Sequence, residues 1–306
     1  MGAIRHIVES QQFDPPFLAE LFRRAEELRQ NGYADSLARK ILASLFYEPS
    51  TRTRFSFESA MHRLGGAVVT TENAKEFSSF AKGESLEDTI RIISGYADVI
   101  VMRHYEIGAA KRAAEISTVP VLNAGDGAGQ HPTQALLDLY TLHRTFGRLE
   151  RLKVAMVGDL KYGRTVRSLA YLLAKYQGVQ LVFVAPAVCR MHDDIKSYLD
   201  RHGVSWEENE RLDQVLPAVD CVYMTRIQKE RFLDTREYQA ANSAYRLTAE
   251  NMDTMRRDAI VMHPLPRVGE IDPSADSNPR ALYFEQARNG VWIRMALILY
   301  VLGKWG

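Results

Sequence analysis

Hydrophobic and polar positions along this chain fall into two alternating kinds of segment. Short, almost continuous apolar runs recur at 41–47, 67–70, 98–104, 119–122, 152–157, 181–185, 204–206, 218–224 and 259–262. Runs this short, rich in Val, Ile and Leu, predict strands covered on both faces, as in parallel sheets. Between them apolar residues return every three or four positions. Phe17, Leu18, Leu21, Phe22, Ala25 and Leu28 do so after Asp14-Pro15-Pro16 and before Gly32, as do the stretches 55–64, 107–116, 135–146, 163–176 and 191–201. These predict amphipathic helices, the first with a capped start. Strand and helix alternating over 306 residues predict an α/β fold of two domains, each a mainly parallel sheet flanked by helices. The pattern restarts near 148–151, so the expected domains are 1–148 and 149–289. The closing apolar helix at 291–301, within 290–306, is expected to pack back on the first.

Composition narrows the function classes. Lys and Arg number 39 against 38 Asp and Glu, so no global field draws nucleic acid or a membrane surface, and any basic site is local. Cys189 and Cys221 stand far apart without CxxC spacing, which fits a reducing cytosol and offers neither a disulfide framework nor a zinc knot. The first sixteen residues hold no sustained apolar core, and Arg294 interrupts the most apolar stretch, so neither a signal peptide nor a spanning helix is expected.

The chemistry concentrates where strands run out. Residues 48–58 read EPSTRTRFSFE: Ser50, Thr51 and Thr53 with Arg52 and Arg54 crowd the start of a predicted helix, just after a predicted strand. Helix N-termini carry amides without acceptors and a positive dipole end, so this stretch suits an anion, and Arg52 adds a planar fork for phosphate or carboxylate. Plain capping by Ser50 or Thr51 is the rival reading. Arg103 ends another strand, and His131 and Gln134 begin the helix at 135–146; a histidine there tends to remain neutral and able to donate, and a plain polar cap is the equal alternative. Residues 72–84 form a polar loop with Ser78 and Lys82, and Lys82 alone would be read as a solvated lysine. In the second domain, GDLKYGRT at 158–165 approaches the phosphate loop GxxxxGK[ST] but has Arg164 in the lysine position. Arg226 and Gln228 leave the strand at 218–224, and His263-Pro264-Leu265-Pro266-Arg267 leaves the next, its prolines stiffening a turn whose carbonyls become fixed acceptors. Arg52, Arg54, Arg103, Arg164, Arg226, Arg267 and Lys82 thus gather at strand ends with few carboxylates. There is no metal-ligand cluster, no nucleophile paired to a base and no carboxylate dyad. A dianionic substrate and acyl transfer from an activated acyl phosphate would fit, as would a phosphate-binding module without catalysis or a nucleotide binder using 158–165.

Ser50-Thr51-Arg52-Thr53-Arg54, His131-Pro132-Thr133-Gln134 and His263-Pro264-Leu265-Pro266, in this order and spacing, resemble the carbamoyltransferases over essentially the whole chain. Thr225-Arg226-Ile227-Gln228, the 158–164 turn and the 78–84 loop resemble the aspartate branch; the ornithine branch has a cysteine where Pro264 stands, and an SMG motif absent here. The resemblance implies carbamoyl transfer from carbamoyl phosphate to L-aspartate, an early step of pyrimidine biosynthesis, with no metal or other cofactor. Ser50, Thr51, Arg52 and Thr53 would hold the phosphate with Arg103 alongside. Thr53, Arg103 and His131 would donate to the carbonyl oxygen. Gln134 and the Leu265 carbonyl, beside Pro264, would hold the carbamoyl amide, and Arg164, Arg226 and Gln228 the aspartate carboxylates. Ser78 and Lys82 would reach in from a neighbouring subunit of a homotrimer. A cytoplasmic enzyme is implied, with a regulatory or other pathway-enzyme chain left open as a partner.

Overall fold

A computed structural model describes residues 5–32, 35–227, 234, 238–239 and 245–305, except for the side chains at 77 and 80. Its strands are β1 Ile41–Phe46, β2 Ala67–Glu72, β3 Val99–His104, β4 Val121–Asp126, β5 Lys153–Val157, β6 Gln180–Val184, β7 Ser205–Asn209, β8 Cys221–Met224 and β9 Ile260–Met262. Helices intervene: α1 Pro15–Asn31, α2 Thr51–Arg63, α3 Ala74–Phe77, α4 Leu86–Ser94, α5 Ala109–Ile116, α6 Pro132–Phe146, α7 Arg164–Leu173, α8 Asp193–Arg201, α9 Leu212–Val215, α10 Ala249–Met252 and α11 Tyr283–Val301. The chain divides into one unit of 1–140 with 288–306 and another of 141–287.

In the first unit the sheet order is β2-β1-β3-β4, all parallel. The inner strands β1 and β3 are buried almost throughout, which is why they read as apolar runs; β4, at one end of the sheet, is buried as well, whereas β2 at the other end is largely exposed and carries three polar residues, Thr70, Thr71 and Glu72. Ser44, buried in β1, donates to Glu58 of α2 at 3.0 Å, and Thr70 of β2 donates to the same carboxylate at 2.7 Å. That shared acceptor ties α2 to both strands. Phe57, fully buried in α2, fixes which face of the helix meets the core, worth about 2 kcal/mol or more of burial. Asp14 caps α1 by accepting from the Phe17 amide at 2.9 Å.

The second unit has the order β7-β6-β5-β8-β9, again all parallel. Val157 pairs with Met224 and Tyr223 with Met262, so the turns after β5, β8 and β9 leave one edge side by side. Gly158 shows how closely: its φ is 110°, and a Cβ there would lie 2.2 Å from the Thr225 carbonyl oxygen. Gly158→Ala should therefore destabilise the unit by about 2 kcal/mol in a chemical-unfolding titration, from strain and overpacking together; an unchanged midpoint would refute the close approach.

Two expectations need correction. The loop at 72–84 is not without structure: α3 and a 3-10 turn at Ser79–Lys82 occupy it, with Ala74 buried and the Ser78 hydroxyl donating back to the Ala74 carbonyl. The closing helix begins at Tyr283, eight residues before the expected 291, because the polar stretch Glu285 to Gly290 breaks the apolar signal without breaking the helix.

Candidate active site

Register places the first group. Phe46 at the end of β1 pairs with Arg103 of β3, and the Tyr47 amide donates to the Arg103 carbonyl at 2.9 Å. The pairing of β3 with β4 slips between Met102 and His104: Arg103 alone faces two residues of β4, Ala124 and Gly125, so the irregularity lies in β4 while Arg103 keeps its register with β1. Arg103 donates to the Ser50 hydroxyl at 3.4 Å and lies 3.4 Å from a Glu48 carboxylate oxygen. Ser50 occupies the N-cap of α2 in an extended conformation, yet its side chain accepts no hydrogen bond from the helix amides, and the first turn holds no acidic residue. The capping reading thus gives way: the hydroxyl faces a guanidinium and the helix end keeps its donors. Arg52 is exposed and makes no hydrogen bond or ion pair among the described residues, while withdrawal of water by its surroundings lowers its pKa. Thr53 is buried. Arg54 does not join this set, because it pairs with Glu72 at 3.0 Å and lies over the Phe55 ring.

His131, buried, directly precedes α6, and its carbonyl accepts from the Gln134 and Ala135 amides at 3.0 and 3.1 Å. Gln134 follows in the first turn and donates through Nε2 to Asp138 at 2.8 Å. Ser78 ends α3, and Lys82 is exposed without a hydrogen bond or ion pair among the described residues.

In the second unit, the 158–165 turn spends its amides on the protein. Gly158 donates to Val184, Leu160 to Cys189 and Tyr162 to the buried Asp159 carboxylate. A phosphate loop aims such amides at its ligand, so the nucleotide reading loses its physical basis. Arg164 opens α7 behind Gly163, half-buried, and Arg226 follows β8, also half-buried. Gln228 lies outside the described residues. Arg267 is not a site cation: it is paired with Asp276, one bond being 2.7 Å, and stacks over Tyr283 and Phe284.

The turn after β9 is braced from beneath. Leu265 and Pro264 are half-buried, and Leu265 has φ 54°, a left-handed conformation that costs a branched residue roughly 1–2 kcal/mol. It is held there because the Leu265 amide donates to His263 Nδ1 at 2.7 Å. That acceptor role leaves the proton on Nε2, which donates to Glu270 at 2.7 Å in a buried pair. The second Glu270 oxygen accepts from the Val268 and Gly269 amides at 3.0 and 3.1 Å, and Gln286 accepts from the His263 amide at 2.8 Å. Burial would raise the Glu270 pKa, but the His263 hydrogen bond and the amides outweigh it and hold the carboxyl below its ordinary range. The backbone around Leu265 is therefore fixed before any ligand arrives.

Two family models match the chain: the aspartate/ornithine carbamoyltransferase carbamoyl-P binding domain over residues 5–144, and the Asp/Orn binding domain over 150–301. The chain belongs to the aspartate/ornithine carbamoyltransferase family. It is 55% identical to aspartate carbamoyltransferase 1, chloroplastic, of Pisum sativum, over 98% of this chain and 79% of that one. The catalytic subunit of aspartate transcarbamoylase from M. jannaschii superposes with a TM-score of 0.91 at 47% identity, covering 98% of both chains. Aspartate transcarbamoylase from Trypanosoma cruzi, solved with carbamoyl aspartate and phosphate, gives 0.91 at 38% identity over 96% and 94%.

Within this family frame, the side chains that sequence reading passed over are acids. Glu48 sits beside Arg103, Glu72 neutralises Arg54, Asp138 holds Gln134 and Glu270 holds His263. Residues 48 and 270 were legible only as neighbours of motifs, since their partners come from strand register and turn closure. Among the described residues no three His, Cys, Asp or Glu side chains gather as a metal site, and no helix is long and apolar enough to cross a membrane.

Proposed function

We propose that this chain transfers the carbamoyl group of carbamoyl phosphate to the amine of L-aspartate, giving N-carbamoyl-L-aspartate and phosphate. The observation that carries the reading is the open N-terminus of α2: an uncapped helix end with Arg52 unpaired among the described residues and Arg103 donating to Ser50 at 3.4 Å. Phosphate binds to the amides and hydroxyls of Ser50, Thr51 and Thr53 and to the Arg52 fork. Thr53, Arg103 and His131 donate to the carbamoyl oxygen, and so stabilise the oxyanion formed when the amine adds to the carbon. The tetrahedral adduct then expels phosphate, which takes up the amine proton, so no dedicated protein base is needed. Gln134 and the Leu265 carbonyl, with Pro264 beside it, hold the carbamoyl NH2. Arg164, Arg226 and Gln228 take the two aspartate carboxylates. Ser78 and Lys82 complete the site of a neighbouring subunit in a homotrimer; an exposed, unpaired lysine on a short 3-10 turn fits that use. The enzyme works in the cytoplasm, a reading that two buried free cysteines suit; the plant relatives are named chloroplastic.

Relatives support the substrates: the T. cruzi protein is solved with carbamoyl phosphate and aspartate, and with N-(phosphonacetyl)-L-aspartic acid. The deciding assay offers carbamoyl phosphate with aspartate or ornithine. Carbamoyl aspartate alone should form; carbamoyl ornithine, or no product with either amine, overturns the reading. His131→Ala should slow turnover by about a hundredfold to a thousandfold, the loss of one oxyanion donor, while phosphate affinity measured by calorimetry stays close to wild type. Unchanged turnover would remove His131 from the mechanism.

A further inference from the structure

Gln134 carries a side chain whose two ends are chemically opposite, and the structure says which end is spoken for. Its Nε2 donates at 2.8 Å to Asp138, one turn further along α6, where Asp138 is wholly buried. A carboxylate can only accept, so it selects the NH2 end of the amide and leaves the carbonyl oxygen at the other. The Asp138 charge acts on one buried cation. Arg294 of α11 is 3% exposed, its guanidinium carbon lies 4.9 Å over the Phe57 ring, and its Nε has no hydrogen-bond acceptor among the described residues. Burial lowers the Arg294 pKa to about 10, with the Asp138 charge opposing that shift, so it remains charged at neutral pH. The helix makes room for it at Gly290, where a Cβ would lie 2.2 Å from Arg294 Nη1.

We infer that Asp138 is a positioning residue that fixes the Gln134 amide with its oxygen towards the substrate, and so makes the site select an NH2 over a methyl group at the carbonyl carbon. This rests on the reading of Gln134 as the contact to the carbamoyl amide. Carbamoyl phosphate presents a donor-only NH2 there, which an oxygen accepts. Acetyl phosphate, the same size and charge, presents a methyl group and gains nothing. Reversing the glutamine would set NH2 against NH2 and remove the preference.

Asp138→Asn is the test, because it keeps shape and removes the one-way rule: the new amide can offer Gln134 either its oxygen or its NH2, so the glutamine is no longer held in one orientation. The kcat/KM for carbamoyl phosphate should fall by about tenfold to a hundredfold, whereas the Ki of acetyl phosphate, competing for the phosphate site, should stay within about twofold. Both constants weakening together would mean a merely structural role, and neither changing would mean none; either overturns the inference. Asp138→Ser, whose hydroxyl also both donates and accepts, supplies the same readout should the asparagine variant not fold. Gln134→Ala separates the two levels of the argument. It should abolish the same preference, and adding Asp138→Asn to it should cost nothing further. Preference retained in Gln134→Ala would defeat the assignment of Gln134 itself, whereas preference lost there but kept in Asp138→Asn would defeat the positioning role alone.

Discussion

Arg52→Ala should lower kcat/KM for carbamoyl phosphate by about three orders of magnitude, with little change in folding stability. The size follows from what the side chain is asked to do. It is the guanidinium of the α2 start that no acid neutralises, and partial loss of water already disfavours its charged form. An arriving dianion relieves that cost and is met by a bidentate fork as well as by the helix amides, so ligand and charge are strongly coupled. Removing one preorganised charge-stabilising donor from a site of this kind costs about 10²–10³ in rate, and a doubly bonded cation belongs at the upper end. Arg52→Lys should recover only a minor part, because an ammonium supplies a point charge without the planar pair of bonds. Arg54 provides the contrast: its partner is Glu72 at 3.0 Å, so Arg54→Ala should act on stability more than on turnover. Steady-state kinetics beside urea unfolding of the two variants decides the matter. A loss of less than about tenfold in Arg52→Ala would remove that residue from the phosphate site.

Glu270→Ala should destabilise the fold by about 3–5 kcal/mol, the range for breaking a buried charged pair on one side. The removed carboxylate is the acceptor for His263 Nε2 and for the Val268 and Gly269 amides, and the first of these is buried. Without it His263 can turn its proton to Nδ1, the Leu265 amide loses its acceptor, and the left-handed Leu265 is no longer held. Turnover should therefore fall along with stability, through the Leu265 carbonyl. The pH dependence carries a definite sign. The Glu270 carboxyl sits below its ordinary 4.5 in the folded chain, so its ionised form stabilises the fold fully above that value. That contribution is lost as pH falls from 4.5 through the depressed folded value. Unfolding midpoints measured from pH 7 down to 4 and below should accordingly converge for wild type and Glu270→Gln at the acid end. Parallel curves would show that the carboxylate charge is not what holds the turn.

Much of this was open to a reader of the sequence. Strands predicted at 41–47, 98–104 and 152–157 are β1, β3 and β5 within a few residues, because inner strands of a parallel sheet must be apolar on both faces. The start of α2 was legible as a candidate anion site because three hydroxyls and two arginines crowd a helix start without an acid. What misled was counting every strand-end arginine as ligand-directed. Arg54 meets Glu72 because β1 and β2 pair Phe46 with Glu72, and Arg267 meets Asp276 because the chain folds back after the turn. Neither encounter is implied by residue type.

The sequence by itself determined the alternation of strand and helix, the family, and the short motifs that place hydroxyls, amides and guanidiniums at strand ends, since these depend on neighbours along the chain. Tertiary structure decided which of those charges are free to meet a substrate and which are already neutralised. It also brought Arg103 to Ser50 and Glu48 through the pairing of β1 with β3, and closed the turn that locks Leu265 through His263 and Glu270, whereas the Gln134–Asp138 contact lies one turn along a single helix. The reason is physical: a hydrogen bond or ion pair needs its partners within about 3 to 4 Å, and only strand register and helix packing bring residues tens of positions apart to that distance.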